Sequence, residues 1–423
     1  METKSMETRK FSKLRTFEYA VINAAYFAAY SGVHAYAAVF LLDRGFSNTM
    51  IGVLLALANI VSVLLQPVTA GLIDKYTNIT NRKVSIICSV GCLLCCAILY
   101  FAKGKVVIFA IYMLLYMLQM LYQPILQALS FEYNAMGAGI NFGLARGLGS
   151  CGFAFTSALI GKLLEVNGVS VLQIVNVLAL LISIMMLFIF VAPKNVQTEE
   201  ALEGYEDVQA GKVIADEHRD TENEIHNSFI GFTKYYPMFM LFVLGATFLF
   251  FEHNALNDYL IQIITPLGGD EAVMGNMVMV AAFLELPTMA GFASLERKFG
   301  IKSLLIFSAI MFTVKTVLML VAQNVFMAYL SQICQIFAYA LFIPGGAYLA
   351  EKVMTKSDKT KGQAYINCCI TLGGVFSALV CGRILDIRGA HAMLIVASVV
   401  GVIGTVISIF AISRARISAD RSN

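Results

Sequence analysis

Twelve apolar stretches, each about long enough to cross a lipid bilayer as a helix, divide this chain of 423 residues. A hydrocarbon core of about 30 Å requires about 20 apolar helical residues, with every backbone polar group paired inside the protein. Numbered in order as spans 1 to 12, the stretches cover residues 17–41, 49–73, 84–102, 106–129, 144–163, 170–192, 238–262, 272–294, 303–322, 325–349, 362–384 and 392–412. Only 13% of the residues are charged, about half the share typical of soluble domains. The sequence therefore predicts an all-α membrane protein with twelve transmembrane helices.

The second half of the chain repeats the first at an offset of 220 residues. Pro67-Val68-Thr69-Ala70-Gly71 returns as Pro287-Thr288-Met289-Ala290-Gly291, and Ser157-Ala158-Leu159 returns as Ser377-Ala378-Leu379. Two distant echoes in one register predict two pseudo-symmetric bundles of six helices. Parallel duplication of this kind, with charges inside the helices, is typical of proteins that move solutes across membranes.

One polar segment and the distribution of basic residues predict how the bundles are arranged. The expected domains are residues 1–192 and 238–423, joined by a cytoplasmic linker at 193–237 that is rich in acidic residues. Most of the 30 Lys and Arg residues lie in the tails, the linker and the loops after spans 2, 8 and 10. Because basic loops are retained in the cytoplasm, both termini are expected there, in a multi-pass protein of the cell membrane.

Composition also argues against several other classes of protein. The net charge of +3 is spread over short loops, so nucleic-acid binding is not expected. No catalytic triad, phosphate-cradling loop or His-rich metal set is present, so we expect no enzyme activity, no cofactor and no metal. The alternative, a metal site among Cys88, Cys92, Cys95 and Cys96 of span 3, lacks a His or carboxylate ligand, and these residues suit helix packing. The expected partners are a small-molecule substrate, protons and the lipid bilayer, and the chain is expected to act as a monomer.

Two opposite charges lie at matching depths in neighbouring spans. Glu285 is about ten residues from one end of span 8, and Lys315 is about twelve from the same end of span 9, which places both about 15 to 18 Å deep. The sequence predicts that they reach each other and that Glu285 binds the coupling proton, with Glu252 and Asp258 of span 7 as further candidates. The alternative is a static ion pair that holds two helices together.

Polar and aromatic stripes on several spans predict the wall of an aqueous cavity. Helical spacing places the members of each stripe on one face, and amides and phenols suit a hydroxyl-rich or heterocyclic solute. Interhelical hydrogen bonding is the alternative for many of them. The candidate substrate-binding residues are Asn23, Tyr26, Tyr30, His34, Tyr116, Gln119, Arg146, Asn254, Gln332, Gln335 and Tyr339.

With these residues identified, the chain resembles the major facilitator superfamily, and within it the branch of lactose permease and the nucleoside and oligosaccharide proton symporters. Gly143-Leu144-Ala145-Arg146 is similar to the span 5 motif whose arginine contacts substrate, and Glu285-Leu286-Pro287 is similar to the span 8 motif with a functional glutamate. The loop from Gly71 to Lys83 resembles the signature that latches the cytoplasmic side. The resemblance assigns that latch to Asp74, Lys75, Arg82 and Lys83.

The sequence departs from this branch in span 10. Gln332-Ile333-Cys334-Gln335 contains no acid or base where relatives carry a Gln and a His, so coupling is assigned to Glu285. The expected function is proton-coupled uptake of a neutral polar solute, such as a sugar, an oligosaccharide or a nucleoside, by alternating access. The alternative is a drug or metabolite/proton antiporter, although span 5 lacks the proline of the antiporter signature.

Overall fold

Helices form almost all of the computed structural model, which describes residues 2–76, 78–192, 229–355 and 358–415, with side chains except at 2–10, 74 and 360. Span 1 consists of Glu2–Tyr30, a π-helical turn at Ser31–Ala35, and Ala37–Asp43. Spans 2 to 6 are Asn48–Lys75, Asn81–Phe101, Lys105–Ala135, Phe142–Asn167 and Val171–Ile189. Residues 193–228 of the predicted linker lie outside the described residues, so the domain boundaries stay predictions.

The second bundle follows the same order of helices. Span 7 is Pro237–Asp258, preceded by Phe229–Tyr235 and followed by Leu260–Ile264 and a short turn at Thr265–Leu267. Spans 8 and 9 are Glu271–Phe299 and Ile301–Leu320, and span 10 comprises Val325–Ile333, a 3-10 turn at Cys334–Ile336, and Tyr339–Val353. Spans 11 and 12 form one long element, Lys359–Arg414, which is broken at Gly389.

The twelve predicted transmembrane helices are confirmed in the described part of the chain. Ten helices are long and apolar enough to cross a membrane, and the bent pair Phe11–Ala35 and Ala37–Asp43 adds an eleventh. The longest of the ten, Lys361–Arg414, has 54 residues and would extend about 80 Å as a single helix, far more than a bilayer. Gly389 divides this element into spans 11 and 12, which brings the number of spans to twelve. The break falls there because a φ of 78° is left-handed and costs glycine little.

Side chains with short polar groups determine where several spans begin. An oxygen atom of the residue before the helix accepts a hydrogen bond from a free backbone N–H of the first turn, which stabilises the end of the helix. Ser47, Thr80, Asn141, Asp270 and Asn324 cap spans 2, 3, 5, 8 and 10 in this way.

Side chains from neighbouring helices form hydrogen bonds with backbone carbonyls at the two breaks inside spans. The hydroxyl of Tyr112 donates to the carbonyl of Val33 in the π-helical turn, at 2.7 Å. The hydroxyl of Ser308 donates to the carbonyl of Ala338 at the break in span 10, also at 2.7 Å. Unpaired backbone groups are costly in lipid, so these two donors allow spans 1 and 10 to bend.

The bundles meet at one end of the molecule. We call the end where spans 1 and 7 begin the terminal end and the opposite end the distal end. Closely packed glycines mark the distal contact: a Cβ atom at Gly52 would lie 1.9 Å from the carbonyl oxygen of Ala378, and one at Gly382 would lie 2.4 Å from that of Asn48. The pseudo-symmetric contact lies between spans 5 and 8. A Cβ atom at Gly275 would lie 2.4 Å from the carbonyl oxygen of Ser157, and one at Gly161 would lie 2.4 Å from that of Glu271. These four glycine contacts are named the distal seam.

The described hydrogen bonds between the bundles also lie at the distal end. The carboxylate of Asp386, at the end of span 11, accepts the backbone N–H groups of Asn48 and Thr49 at 3.0 and 2.7 Å. It also accepts the side chains of both residues. Gln262 adds a donor to Asn48 at 2.9 Å. At the terminal end, by contrast, a Cβ atom at Gly71, Gly147 or Gly291 would have nothing within 4 Å among the described residues.

Candidate substrate and proton site

A polar cavity lies between the bundles, above the distal seam. Tyr30 of span 1, Arg146 of span 5 and Tyr339 of span 10 lie within electrostatic range of one another, and Glu285 of span 8 is within range of Arg146 and Tyr339. All four side chains are partly exposed although they stand in the middle of the molecule. They therefore border an open space that both bundles share.

Glu285 and Lys315 are connected through a third residue. The Nζ atom of Lys315 donates to Oε1 of Gln335 at 2.6 Å, and Nε2 of Gln335 donates to Oε1 of Glu285 at 2.8 Å. Lys315 is 1% exposed and Gln335 is 5% exposed. The predicted direct contact is therefore wrong: no ion pair joins these two described residues. The break in span 10 explains this, because the turn Cys334–Ile336 places the Gln335 amide between the two charges.

Arg146 is held by its own helix and by an aromatic ring of span 1. Its Nη1 atom donates to the Ser150 hydroxyl at 2.9 Å, and its guanidinium lies 4.1 Å from the centroid of the Phe27 ring. The ring reaches the helix because Gly149 has no side chain; a Cβ atom there would lie 2.8 Å from Phe27. A guanidinium fixed over a ring keeps its remaining donors in one orientation.

Span 1 contributes an aromatic wall to the cavity. The rings of Tyr30 and His34 are stacked at 3.7 Å, and His34 lies 3.8 Å from the ring of Tyr116. The π-helical turn contains His34 and directs this part of the stripe, a common use of such turns at functional sites. Behind it, the Tyr26 hydroxyl donates to the carbonyl of Gln119 at 2.8 Å. The Gln119 side chain is fully buried beside His34.

The second bundle contributes a corresponding wall. His253 of span 7 is stacked on Tyr339 at 5.0 Å, and its Nε2 atom lies 2.8 Å from Nδ2 of Asn257. His253 stands one residue away from the 220-residue equivalent of His34, so the two stacks are pseudo-symmetric. Asp258 lies within electrostatic range of Tyr30, across the cavity from its own helix.

Several predicted substrate residues lie elsewhere or are already bonded. Asn23 is buried and donates to the carbonyl of Tyr19, and Asn254 donates to that of Phe250 beside Gly374 of span 11. Both amides thus support helix packing. Gln332 is buried, and its Nε2 atom has no partner within the described ranges.

The hydrogen bonds and ring contacts described for three of the predicted latch residues, Arg82, Lys83 and Lys75, lie within their own bundle. Arg82 donates to the carbonyls of Leu187 and Phe188 at 2.8 and 2.9 Å, and Lys83 donates to that of Asn78. Lys75 lies over the ring of Tyr76. The side chain of Asp74 lies outside the described residues.

Sequence reasoning did not identify Phe27 or Ser150 as part of the site. The spacing of Ser150, one turn after Arg146, was a usable signal, because residues four apart share a helix face. Within the described ranges, no three His, Cys, Asp or Glu side chains stand close enough together to hold a metal ion.

Twin helical bundles around a charged, aromatic cavity define a membrane transporter of the major facilitator type. The chain belongs to the MFS_1 like family, whose model matches residues 18–396, and this confirms the predicted superfamily. No curated protein matches the chain.

Solved structures of transporters share the fold. The nucleoside transporter NupG superimposes with a TM-score of 0.74 at 13% identity, covering 94% of this chain and 99% of that one. The D-xylose-proton symporter gives 0.66 at 15% identity over 94% and 96% of the two chains. A bacterial homolog of the human lysosomal transporter Spinster, in an inward-facing conformation, gives 0.67 at 11% identity over 96% and 98%. At these identities the similarity establishes the fold alone.

Proposed function

We propose that the protein takes up a neutral polar solute together with protons, by alternating access between the two bundles. The observation that carries this proposal is the hydrogen-bonded chain from Lys315 through Gln335 to Glu285 at the edge of the cavity. A membrane-embedded carboxyl group balanced by a lysine is suited to proton exchange, because protonation removes one charge and leaves the other in need of a partner.

The walls of the cavity favour a solute with a planar ring and hydroxyl groups, the nucleoside class, over a simple sugar. The stacks Tyr30–His34 and His253–Tyr339 offer flat aromatic faces from both bundles. NupG, which shares this fold, is a nucleoside transporter, and this supports the same class of solute.

Coupling follows from the strength of the hydrogen bonds in the chain. A bond to an ionised carboxylate is roughly twice as strong as one to a neutral group, so protonation of Glu285 weakens its attraction for Gln335. Lys315 then loses the negative charge that offsets its own, and the cavity wall of spans 8, 9 and 10 rearranges. Protons drive uptake only if this change favours one of the two conformations, inward-open or outward-open, over the other.

Orientation follows the distribution of basic residues. With the terminal end in the cytoplasm, the conformation described here opens inward and is closed by the distal seam and Asp386 on the outside. The cell membrane is the proposed location.

Purified protein in proteoliposomes with a pH gradient tests the proposal. We expect accumulation of one of a panel of nucleosides, sugars and dipeptides, and loss of accumulation in Glu285→Gln with exchange of bound solute retained. Glu351→Gln, an exposed carboxylate at the terminal end, is the matched control. Undiminished uphill uptake by Glu285→Gln would remove the proposed role, and export of drugs without uptake of any of these solutes would favour the antiporter.

A further inference from the structure

Glu252 is a carboxyl group that lies outside the cavity. It is 0% exposed in span 7, and it contacts spans 9 and 12. Its Oε2 atom would lie 1.9 Å from a Cβ atom at Gly401, so the carboxyl group occupies the space that a side chain on span 12 would fill. Oε2 has no hydrogen-bond partner among the described residues, and the nearby Thr316 hydroxyl donates to the carbonyl of Phe312 at 3.2 Å.

The other oxygen, Oε1, ends a chain of three close oxygen contacts. Oε1 of Glu252 lies 3.2 Å from the Thr313 hydroxyl, which lies 2.9 Å from the Thr405 hydroxyl. The Thr405 hydroxyl in turn lies 2.8 Å from the carbonyl oxygen of Ala309. The two shorter distances are typical of O–H···O hydrogen bonds and the contact at 3.2 Å is a longer one, and each of the three bonds requires one hydrogen atom.

Counting hydrogen atoms shows that one is missing if Glu252 is ionised. The carbonyl of Ala309 can only accept, so the Thr405 hydroxyl must donate to it, and the Thr313 hydroxyl must donate to Thr405. No hydrogen then remains for the contact between Thr313 and Glu252 unless the carboxyl group supplies it. A protonated Glu252 donates to Thr313 and completes all three bonds.

The charges around Glu252 agree with this count. Lys315 is the ionisable side chain within electrostatic range of Glu252, and its ammonium group is bonded to Gln335. The facing residues of span 12, Gly401 and Thr405, carry no ionisable group, and the neighbouring His253 is stacked on Tyr339. In the described part of the chain Glu252 makes no ion pair, and a buried, unpaired carboxylate is far more costly than a neutral acid with one unpaired oxygen.

We propose that Glu252 is a second proton-binding site, separate from the substrate cavity, and that it carries a proton in this conformation. Its ionisation breaks the contact among spans 7, 9 and 12, so packing of the second bundle weakens as pH rises. A neutral Glu252 also leaves Glu285 as the acid that balances Lys315. Protonation of Glu252 depends neither on which solute is carried nor on coupling.

Infrared spectroscopy of the purified protein at neutral pH tests the site directly. We expect a protonated-carboxyl band in the wild type that is lost in Glu252→Gln and kept in Glu165→Gln, an exposed control that changes only the ionised carboxylate bands. Because Glu285 and Asp258 can contribute bands of their own, the outcome that would overturn the proposal is a protonated-carboxyl band of the same intensity in Glu252→Gln as in the wild type.

Thr405→Val provides an independent variant that leaves the glutamate in place. It removes one hydroxyl at nearly constant shape, so Thr313 becomes free to donate to an ionised Glu252. The band should then disappear at a lower pH than in the wild type, by about one unit for a tenfold change in proton affinity. An unchanged titration would contradict the hydrogen-bond count.

The thermal unfolding midpoint supplies a readout without transport or spectroscopy. The folded protein holds the Glu252 proton more tightly than the unfolded chain, so the stabilisation is present at low pH and is lost as pH rises. Glu252→Gln, whose amide also donates to Thr313, should show a weaker decline than the wild type. Equal declines would contradict the proposal, whereas failure of the transport assays would affect only the proposed function.

Discussion

At the scale of single residues, Gln335 determines how strongly the two cavity charges hold each other. A direct contact of Lys315 and Glu285 would have a stronger Coulomb attraction than the pair has across an intervening amide, because the attraction falls as the distance grows. The amide nevertheless satisfies a donor and an acceptor of the pair at the same time. The charges are thus paired in a buried place but can separate more easily than in a direct ion pair.

Arg146 provides a prediction at the same scale. Lysine at this position keeps the charge but cannot present a planar fork over the Phe27 ring while reaching Ser150. We expect Arg146→Lys to weaken solute binding about tenfold, equal to about 1.4 kcal/mol, measured by isothermal titration with the transported solute. Arg297→Lys, on an exposed residue of span 8, is the control; equal affinity in both variants would show that only the charge matters.

At the scale of elements, much of the helical architecture could be predicted from the sequence, because apolar length and the 220-residue repeat specify it. The breaks inside spans 1 and 10 could not be predicted in this way. The π-helical turn of span 1 and the break in span 10 contain no proline, and they depend on donors from other helices, Tyr112 and Ser308. Since those partners are distant in sequence, the position of Gln335 between Glu285 and Lys315 was also hidden.

The function of Asp386 was missed for a different reason. The sequence repeat pairs Gly382-Arg383-Ile384-Leu385-Asp386 of span 11 with Gly161-Lys162-Leu163-Leu164-Glu165 of span 5, and the symmetry suggests equal roles. The structure shows unequal roles for Asp386 and Glu165. Asp386 accepts free N–H groups at the start of span 2, where a negative charge is favoured, whereas span 8 already begins with its own acidic cap, Asp270.

Asp386→Ala tests this contact between the bundles. Loss of the carboxylate leaves the first N–H groups of span 2 without their acceptor, so we expect a larger population of the conformation open at the distal end. Spin labels on the distal ends of spans 2 and 11 would report longer distances. Glu165→Ala, the pseudo-symmetric variant, should leave the distances unchanged; the same shift in both would point to a general charge effect.

At the scale of the whole molecule, the conformation depends on how closely the bundles approach at the distal seam. Gly161 of span 5 and Gly382 of span 11 contact the opposite bundle, whereas Gly149 and Gly373 of the same spans pack within their own bundles. Small residues permit close helix contacts in lipid, where the hydrophobic effect does not drive association.

A bulky side chain at the seam should prevent this closure. Gly161→Leu places a Cβ atom 2.4 Å from the carbonyl oxygen of Glu271, so the distal end cannot close and solute exchange should stop. Thiol labelling of single distal cysteines in a cysteine-free background should become faster. Gly147→Leu, on the same helix with nothing within 4 Å among the described residues, should transport normally. Normal exchange by Gly161→Leu would mean that closure of the seam is dispensable.

The unequal bonding of the seam has a consequence for the path of the solute. Spans 2 and 11 are joined by Asp386, whereas spans 5 and 8 meet through glycine contacts and the rings of Phe155 and Phe283. We therefore expect the bundles to part first along spans 5 and 8 and to pivot about the bonded edge, which produces a wedge-shaped entrance. Phe155 and Phe283 stand on the two helices that border this entrance, on the distal side of Arg146 and Glu285, so an incoming molecule would pass between their rings before it reaches the two charges.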